Sequence, residues 1–399
     1  MATSTPILAA TRPMPVSFGR LLGFFFIITI MPYLWSLTQV MAYRGIYTTA
    51  VTIFNLTGFA AFLMQYPFSG RISRVTHFSG IDNTMRLHRK AGEIIAIYFF
   101  LHPFLTVLPR YFIAPSLSFS DLWTTFTAPE SVTGVYAWTI MSIWVLMAVF
   151  KERLGISYEV WRISHGLGFV AVAILATLHA ITVGRHGQYS LWFQGMWIVL
   201  CGVAVSIISY TYFVRPFLQK KKPFKLVDIV KLGSRDWNLT IEKDGDFEFE
   251  FEAGQFLWIN TSGNPFKRCE HPFSIASCPS SLPRLSFIIR ELGDYTSRLD
   301  QLKPGQRVYV DGPHGVFTLE GQNAAGVALI AGGAGIGPTL GILRQLRDLG
   351  ESRSIRLIYG NRCFEQMVFL DEIEMTEKAL PDFKKTLVLE QAFRRPVWR

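Results

Sequence analysis

The stretch LHRKAGEIIAIYFFLHPFLTV, residues 87–107, decides the fold when it is set beside SHGLGFVAVAILATLHA, residues 164–180. Each holds two histidines 14 positions apart in an apolar run: His88 and His102 in the first, His165 and His179 in the second. At about 100° per residue, 14 steps fall about 40° short of four helical turns. The two histidines of a pair therefore share one helix face, about 21 Å apart along the axis. Ionisable groups rarely enter a bilayer without a function.

A lone histidine on an apolar face is ordinarily a packed, hydrogen-bonded core residue. Zinc needs ligands converging on one point, and this spacing separates them. Two such helices running in the same direction instead present two facing imidazole couples, one above the other. Two haems, each ligated by one imidazole from each helix, fit between them. His88 is expected opposite His165, and His102 opposite His179.

Half of the 399 residues are hydrophobic, 33 of them Phe, and the apolar ones concentrate in the first half. Six candidate spans of about 20 residues, the length that hydrocarbon requires, are read at 20–41, 46–66, 88–108, 132–150, 160–183 and 192–214. The net charge of +10 admits a nucleic-acid partner. Its excess, however, gathers at span ends, as in Arg71, Arg74, Arg86, Arg89, Lys90 and Lys220 to Lys222, where the positive-inside rule accounts for it without nucleic acid. Arg12, Arg20, Lys151, Arg153 and Arg215 fall on that same side, against Arg44, Arg110 and Arg185 on the other. Both termini are thus expected in the cytoplasm of a multi-pass cell-membrane protein. Spans three and five then run the same way, with His88 and His165 in the inner leaflet. His77 and His186 lie in links and are read as solvated. Arg44 and Arg110, at the outer ends of spans, are read as snorkelling cations or as contacts for a haem propionate or an anionic acceptor. Residues 1–19 lack the layout of a cleavable signal peptide and are read as a cytoplasmic tail. The four cysteines form no C-x-x-C pair and no disulfide framework.

After residue 222 the character changes. Phe224–Lys231, Phe256–Asn260 and Leu285–Arg290 are short, β-branched and aromatic segments set between turn residues, which predicts a small antiparallel barrel. From Gly326 the pattern becomes strand (Val327–Ala331), glycine turn, helix (Thr339–Leu349) and strand (Ile355–Tyr359), a β-α-β unit of a parallel sheet. The turn AGGAGIGP, residues 331–338, carries Gly332, Gly333, Gly335 and Pro338. It lets backbone approach a pyrophosphate at a helix N-terminus, or is a tight structural turn. HPFSIAS (271–277) reads as a strand with a polar face, and RELGDYT (290–296) offers amides for a second phosphate group. DGPHGVF (311–317) reads as a turn-rich segment.

The six-span segment with two H-x13-H pairs, followed in order by HPFSIAS, ELGDYT, DGPHGVF and AGGAGIGP, resembles the ferric reductase and NADPH oxidase superfamily over residues 20–390. Its soluble half resembles ferredoxin–NADP reductases. The resemblance implies an α-helical transmembrane bundle at 20–216, an antiparallel β-barrel FAD domain at 223–321 and an α/β NAD(P)H-binding domain at 322–399. It implies FAD on His271, Pro272, Phe273, Ser274 and Ser277, with its pyrophosphate on Gly293, Asp294, Tyr295 and Thr296. The nicotinamide dinucleotide would take Gly332, Gly333, Gly335 and Pro338, its ribose Asn361 and Arg362, and two b-type haems the four histidines. No side chain is assigned as acid, base or nucleophile. The family's nucleotide domain continues past a third strand, here Lys384–Leu389, to a Cys-Gly-Pro turn and a terminal aromatic. Neither occurs before Arg399, so either the sequence is a fragment or the nicotinamide site is expected to be incomplete.

The activity implied is transfer of electrons from cytosolic NAD(P)H through FAD and two haems to oxygen or a ferric chelate outside. A rival class is a haem-bearing membrane subunit that supplies a quinone or protein partner without oxidising NAD(P)H itself. Tyr359-Gly360-Asn361-Arg362 has no acid before Glu365, which favours a 2′-phosphate and hence NADPH.

Overall fold

The computed structural model describes residues 16–390 except Val40, Lys151, Glu152, Glu320, Gln322 and Asn323, and omits the side chains of Ser73, Arg74, His77 and Tyr158. The readings placed on Arg12, Lys151, the side chains of Arg74 and His77, the first 15 residues and the last nine therefore lie outside what is described. The chain divides into two compact units, one of residues 16–215 and one built from 216 onward.

The first unit is helical: α1 (Phe18–Ser36), α2 (Ile46–Met64), α3 (Ser73–Ser79), α4 (Ile81–Ile113), α5 (Pro115–Thr127), α6 (Val132–Phe150), α7 (Tyr158–Thr182) and α8 (Leu191–Ser209), followed along the chain by α9 (Arg215–Lys220). Among the described residues, six helical segments are long and apolar enough to cross a membrane. The third is longer than the apolar run suggested. α4 starts at Ile81, after Gly80 at φ +74°, and carries Asp82 in its first turn, where a carboxylate suits the positive end of the helix dipole. His88 therefore sits two turns inside α4 rather than at its start. Hydropathy marks where a helix enters hydrocarbon, and the backbone hydrogen bonds continue regardless. α7 begins at an N-cap, Ser157, whose hydroxyl accepts the Val160 N–H.

α5 was read as part of a link. Pro115 opens it, and its Leu117, Phe119 and Trp123 are exposed. At 13 residues it is too short to span and too polar to register as apolar. The bundle core is aromatic. Phe193 and Trp197 are almost wholly buried, with Trp197 4.7 Å from Phe59 between ring centres. Outward-facing Ile27, Phe54, Ile94, Ile97 and Ile198 are exposed, as lipid-facing positions are.

The second unit opens with six strands: β1 (Phe224–Lys231), β2 (Asp236–Lys243), β3 (Phe256–Asn260), β4 (His271–Ser274), β5 (Arg284–Arg290) and β6 (Arg307–His314). They form a sheet in the order β4-β3-β6-β1-β2-β5, antiparallel at every pairing. The two ends of this order are joined by one bridge, Ile275 to Phe287. Alternate residues face one core: Phe224, Leu226, Leu239, Ile241, Leu257, Ile259 and Phe287. The DGPHGVF segment corrects the turn reading, because β6 runs through Asp311 to His314. Its register against β3 shifts between Phe256 and Trp258, and Gly312 at φ +135° absorbs the irregularity.

A three-stranded parallel sheet follows, β7 (Gly326–Gly332), β8 (Ser354–Asn361) and β9 (Phe383–Leu389), in that order. α10 (Ile336–Asp348) and α11 (Leu370–Ala379) are its crossover helices. Ile355, Leu357 and Tyr359 of the central strand are fully buried, as a strand between two neighbours and under helices must be.

Candidate functional site

α4 and α7 each present two buried or half-buried histidines to the interior of the bundle. The rings of His88 and His165 lie 6.4 Å apart between centres, at 75° to one another. Imidazoles that ligate one metal from opposite sides, at about 2.0–2.1 Å each, hold their ring centres roughly 6–7 Å apart. The His88 Nδ1–H donates to the Gln65 carbonyl at 3.2 Å, which leaves Nε2 with its lone pair. Trp161 and Phe169, one turn to either side on α7, bracket the His165 ring at 5.0 and 4.7 Å. Tyr66 fixes that turn by donating its hydroxyl to the Phe169 carbonyl at 2.5 Å.

His102 and His179 line one cavity of about 450 Å³. The Nδ1 atoms of His102, His165 and His179 are buried without a hydrogen-bond partner. A packed structural histidine normally satisfies that atom, so these rings are not explained as core residues. Gly134 lets α6 approach, since a Cβ there would stand 2.6 Å from His179 Nδ1. Among the described residues no three His, Cys, Asp or Glu side chains converge as a metal cluster. The donors come instead as one couple, His88 with His165, and as two rings on one cavity, His102 and His179, a set that suits bis-imidazole haem.

Residues in the links behave differently from the sequence reading. His186 is not solvated. It is half-buried, its Nδ1 lies 2.7 Å from Gln39 Oε1, and it stands on the cavity wall with Arg185. Packing of the α7–α8 link over the bundle places it there. Arg110 pairs with Asp121 of α5 at 3.2 Å, so its charge is met within the protein, whereas Arg44 is exposed.

In the second unit, folding brings the HPFS strand to the ELGDYT turn. The His271 ring stacks on Tyr295 at 3.9 Å and 21°, with Phe273 6.1 Å from Tyr295. Tyr295 bonds to the Thr261 hydroxyl at 3.0 Å, and burial pushes its phenol up to about 12, so it stays neutral. Thr296 Oγ1 accepts the Leu292 and Gly293 N–H groups at 2.8 and 3.0 Å. This shapes the turn and removes those two amides from the set able to face a phosphate. Ser277 is buried and accepts the Ser286 N–H at 3.2 Å, which ties the strand end to β5. Pro272 is exposed, and Ser274 and Asp294 are at least partly accessible. Gly293 has open space where a Cβ would go, so Gly293→Glu can be built without a clash. Its carboxylate is expected to lower FAD occupancy at least tenfold, about 1.4 kcal/mol, by repelling the pyrophosphate. Absorbance of the purified variant reads this, and full occupancy would remove the turn from the flavin site.

β7 ends at Gly332. Gly333, at φ +53°, starts a 3-10 turn through Gly335, and α10 follows with Pro338 in its first turn. A cation stands against this turn that the sequence reading left without a role. Arg290 forms a two-point pair with Asp236, at 2.8 and 3.0 Å, and its Nη1 is 2.5 Å from where a Gly333 Cβ would lie. The signal that could have found it is cross-strand register, because Asp236 and Arg290 are directly paired residues of β2 and β5. Asn361 is turned to its own loop, accepting the Arg362 N–H at 2.9 Å and donating to the Gln366 carbonyl at 2.5 Å. The Arg362 side chain is 74% exposed, 3.8 Å from Glu390.

Comparison with known proteins follows the same division. Family models match in three places: the ferric reductase-like transmembrane component at residues 54–176, an FAD-binding domain at 222–318 and the oxidoreductase NAD-binding domain at 329–396. The reductase component of propane 2-monooxygenase from Gordonia sp. (strain TY-5) is 34% identical over 146 residues, 36% of this chain and 41% of that protein. Ferredoxin–NADP reductase B of Sorangium cellulosum is 29% identical over 185 residues, 44% of this chain and 73% of that one. The chain thus spans about two fifths of the length of the propane 2-monooxygenase reductases it matches. The Amycolatopsis cytochrome P450 reductase GcoB is similar at a TM-score of 0.38 and 22% identity, over 42% of this chain and 51% of that one. With a ferric reductase-like transmembrane segment, an FAD-binding domain and an NAD-binding domain in one chain and in that order, the protein matches a ferric reductase and NADPH oxidase-like superfamily.

Proposed function

We propose that this NAD(P)H oxidoreductase carries electrons from cytosolic NAD(P)H across the membrane to oxygen or a ferric chelate on the outer side, with FAD and two b-type haems as carriers. When bound, FAD accepts a hydride and releases single electrons, which haem carries and nicotinamide does not. The observation that carries the proposal is the pair of imidazoles of His88 and His165, 6.4 Å apart, with His102 and His179 together on one cavity. The Gln65 carbonyl fixes the His88 tautomer, Trp161 and Phe169 fix the His165 ring, and Gly134 makes room for that of His179. In the soluble unit, Tyr295 and His271 form the stacked platform for the flavin. Gly332, Gly333, Gly335 and the α10 N-terminus take the dinucleotide phosphates. Arg290, held by Asp236, supplies positive charge beside them. The excess of basic residues on one side of the spans supports a cytoplasmic position for both termini.

Purified protein supplied with FAD should oxidise NADPH and, under anaerobic conditions, show a reduced b-type haem spectrum. Absence of NAD(P)H oxidation favours the electron-supplying subunit instead. Cytochrome c reduction sensitive to superoxide dismutase then separates oxygen from ferric chelate as acceptor. NADPH is the expected donor, through a charge-assisted contact from Arg362 to the 2′-phosphate. Such a contact is worth about 1.5–3 kcal/mol, so Arg362→Ala should cut the NADPH-to-NADH ratio of kcat/KM roughly ten- to a hundredfold. An unaltered ratio excludes Arg362 as the selector.

A further inference from the structure

We propose that Gly184-Arg185-His186-Gly187, the segment closing α7 over the cavity, is a carboxylate clamp with Arg185 as its contact; this rests on the functional reading above. The cavity that holds His102 and His179 is walled by apolar groups such as Phe59, Phe99, Trp138 and Met141. Several of its polar side chains are spent locally: Thr106 on the Pro103 carbonyl, Thr125 on the Asp121 carbonyl, and Asn55 on the Tyr98 hydroxyl. Among the described lining residues Arg185 is the only Lys or Arg, and no Asp or Glu lies with it. No carboxylate among the described residues pairs with Arg185. Its hydrogen bond goes from Nη2 to the Ala42 carbonyl, not to the carbonyls at the end of α7, so it is not a helix cap.

The segment is built to hold that cation in place. A Cβ on Gly184 or on Gly187 would overlap the Ala180 carbonyl oxygen, so both glycines let the chain fold tightly over the helix end. The Val183 and Gly184 N–H groups return to the His179 carbonyl at 2.9 and 3.2 Å. Gln188 donates to the Thr182 carbonyl at 2.7 Å and Gln194 to the Gly187 carbonyl at 2.8 Å. His186, anchored on Gln39, ties the segment to the chain that follows α1. Arg185 lines the apolar chamber, and its guanidinium, held at one point on the exposed Ala42 carbonyl, has further donors and no acid of its own, which suits a ligand with an apolar body in the chamber and a carboxylate edge at its rim. The carboxylates have two sources, the propionates of a haem seated between His102 and His179, or a ferric carboxylate chelate arriving as acceptor.

Arg185→Gln and Arg185→Lys in the full chain test this. Haem content, the midpoint potential of each haem, and KM for ferric citrate and for oxygen are measured. If the propionates are the source, loss of the cation lowers one haem potential by about 59 mV, a tenfold change in a one-electron equilibrium, or releases that haem. If the chelate is the source, the potentials stay and KM for ferric citrate rises about tenfold, with oxygen reduction unaltered. Arg185→Lys keeps charge but loses the fork. It should shift in the same direction by less, and it is the variant to read if Arg185→Gln does not fold. Variants that keep both haems with unchanged potentials and unchanged KM for ferric citrate overturn the clamp. Absence of haem from the unmodified protein overturns the functional reading itself.

Discussion

Replacing His102 with leucine is expected to leave about half of the haem and to stop reduction of the outer acceptor, while NADPH still reduces the remaining haem. His102 is the most informative of the four positions. Its Nδ1 has no hydrogen-bond partner in the protein, so leucine orphans no buried donor or acceptor. Its surroundings, including Phe99, Trp138 and Met141, accept an apolar side chain of similar size. The fold should therefore survive, and haem loss would report ligation alone. His88→Leu is a poorer test, because it strips the Gln65 carbonyl of its partner, and an unsatisfied buried group costs about 1–3 kcal/mol in its own right. Pyridine haemochromogen assay of the purified variant measures the effect. Two haems per chain in His102→Leu would reject the His102–His179 couple.

Replacing Gly333 with valine is expected to raise KM for NAD(P)H at least tenfold, about 1.4 kcal/mol. Two costs add. Gly333 sits at φ +53°, where left-handed backbone costs an L-residue roughly 1–2 kcal/mol and more for a β-branched one. The new Cβ would also meet Arg290 Nη1 at 2.5 Å. That guanidinium cannot simply swing aside, being held at two points by Asp236, whose side chain is 3% exposed. The variant must distort the turn or break the pair, and either removes charge and amides from the phosphates. Steady-state kinetics with NADPH reads the effect, and an unchanged KM would separate this turn from dinucleotide binding.

Much of this protein was legible along the chain because the relevant geometry is local. The 14-residue spacing puts His88 and His102, and likewise His165 and His179, on one face of a helix whatever surrounds them. The strand–glycine–helix pattern at 326–348 is equally local, since Gly333 must supply a positive φ that other residues resist. Even here hydropathy misplaced the start of α4 and missed α5, because it reports contact with lipid and not helical hydrogen bonding.

Contacts across elements were decided only by the tertiary structure. That His88 meets His165 across 77 residues of sequence depends on the packing of every helix between them. The stacking of His271 on Tyr295, the placement of Arg290 against Gly333, and the capture of the supposedly solvated His186 by Gln39 are of the same kind. Within one element, the backbone repeat sets which side chains share a face. Between elements, the neighbour is whichever group the packed whole brings within a few ångströms, and that has no period to read.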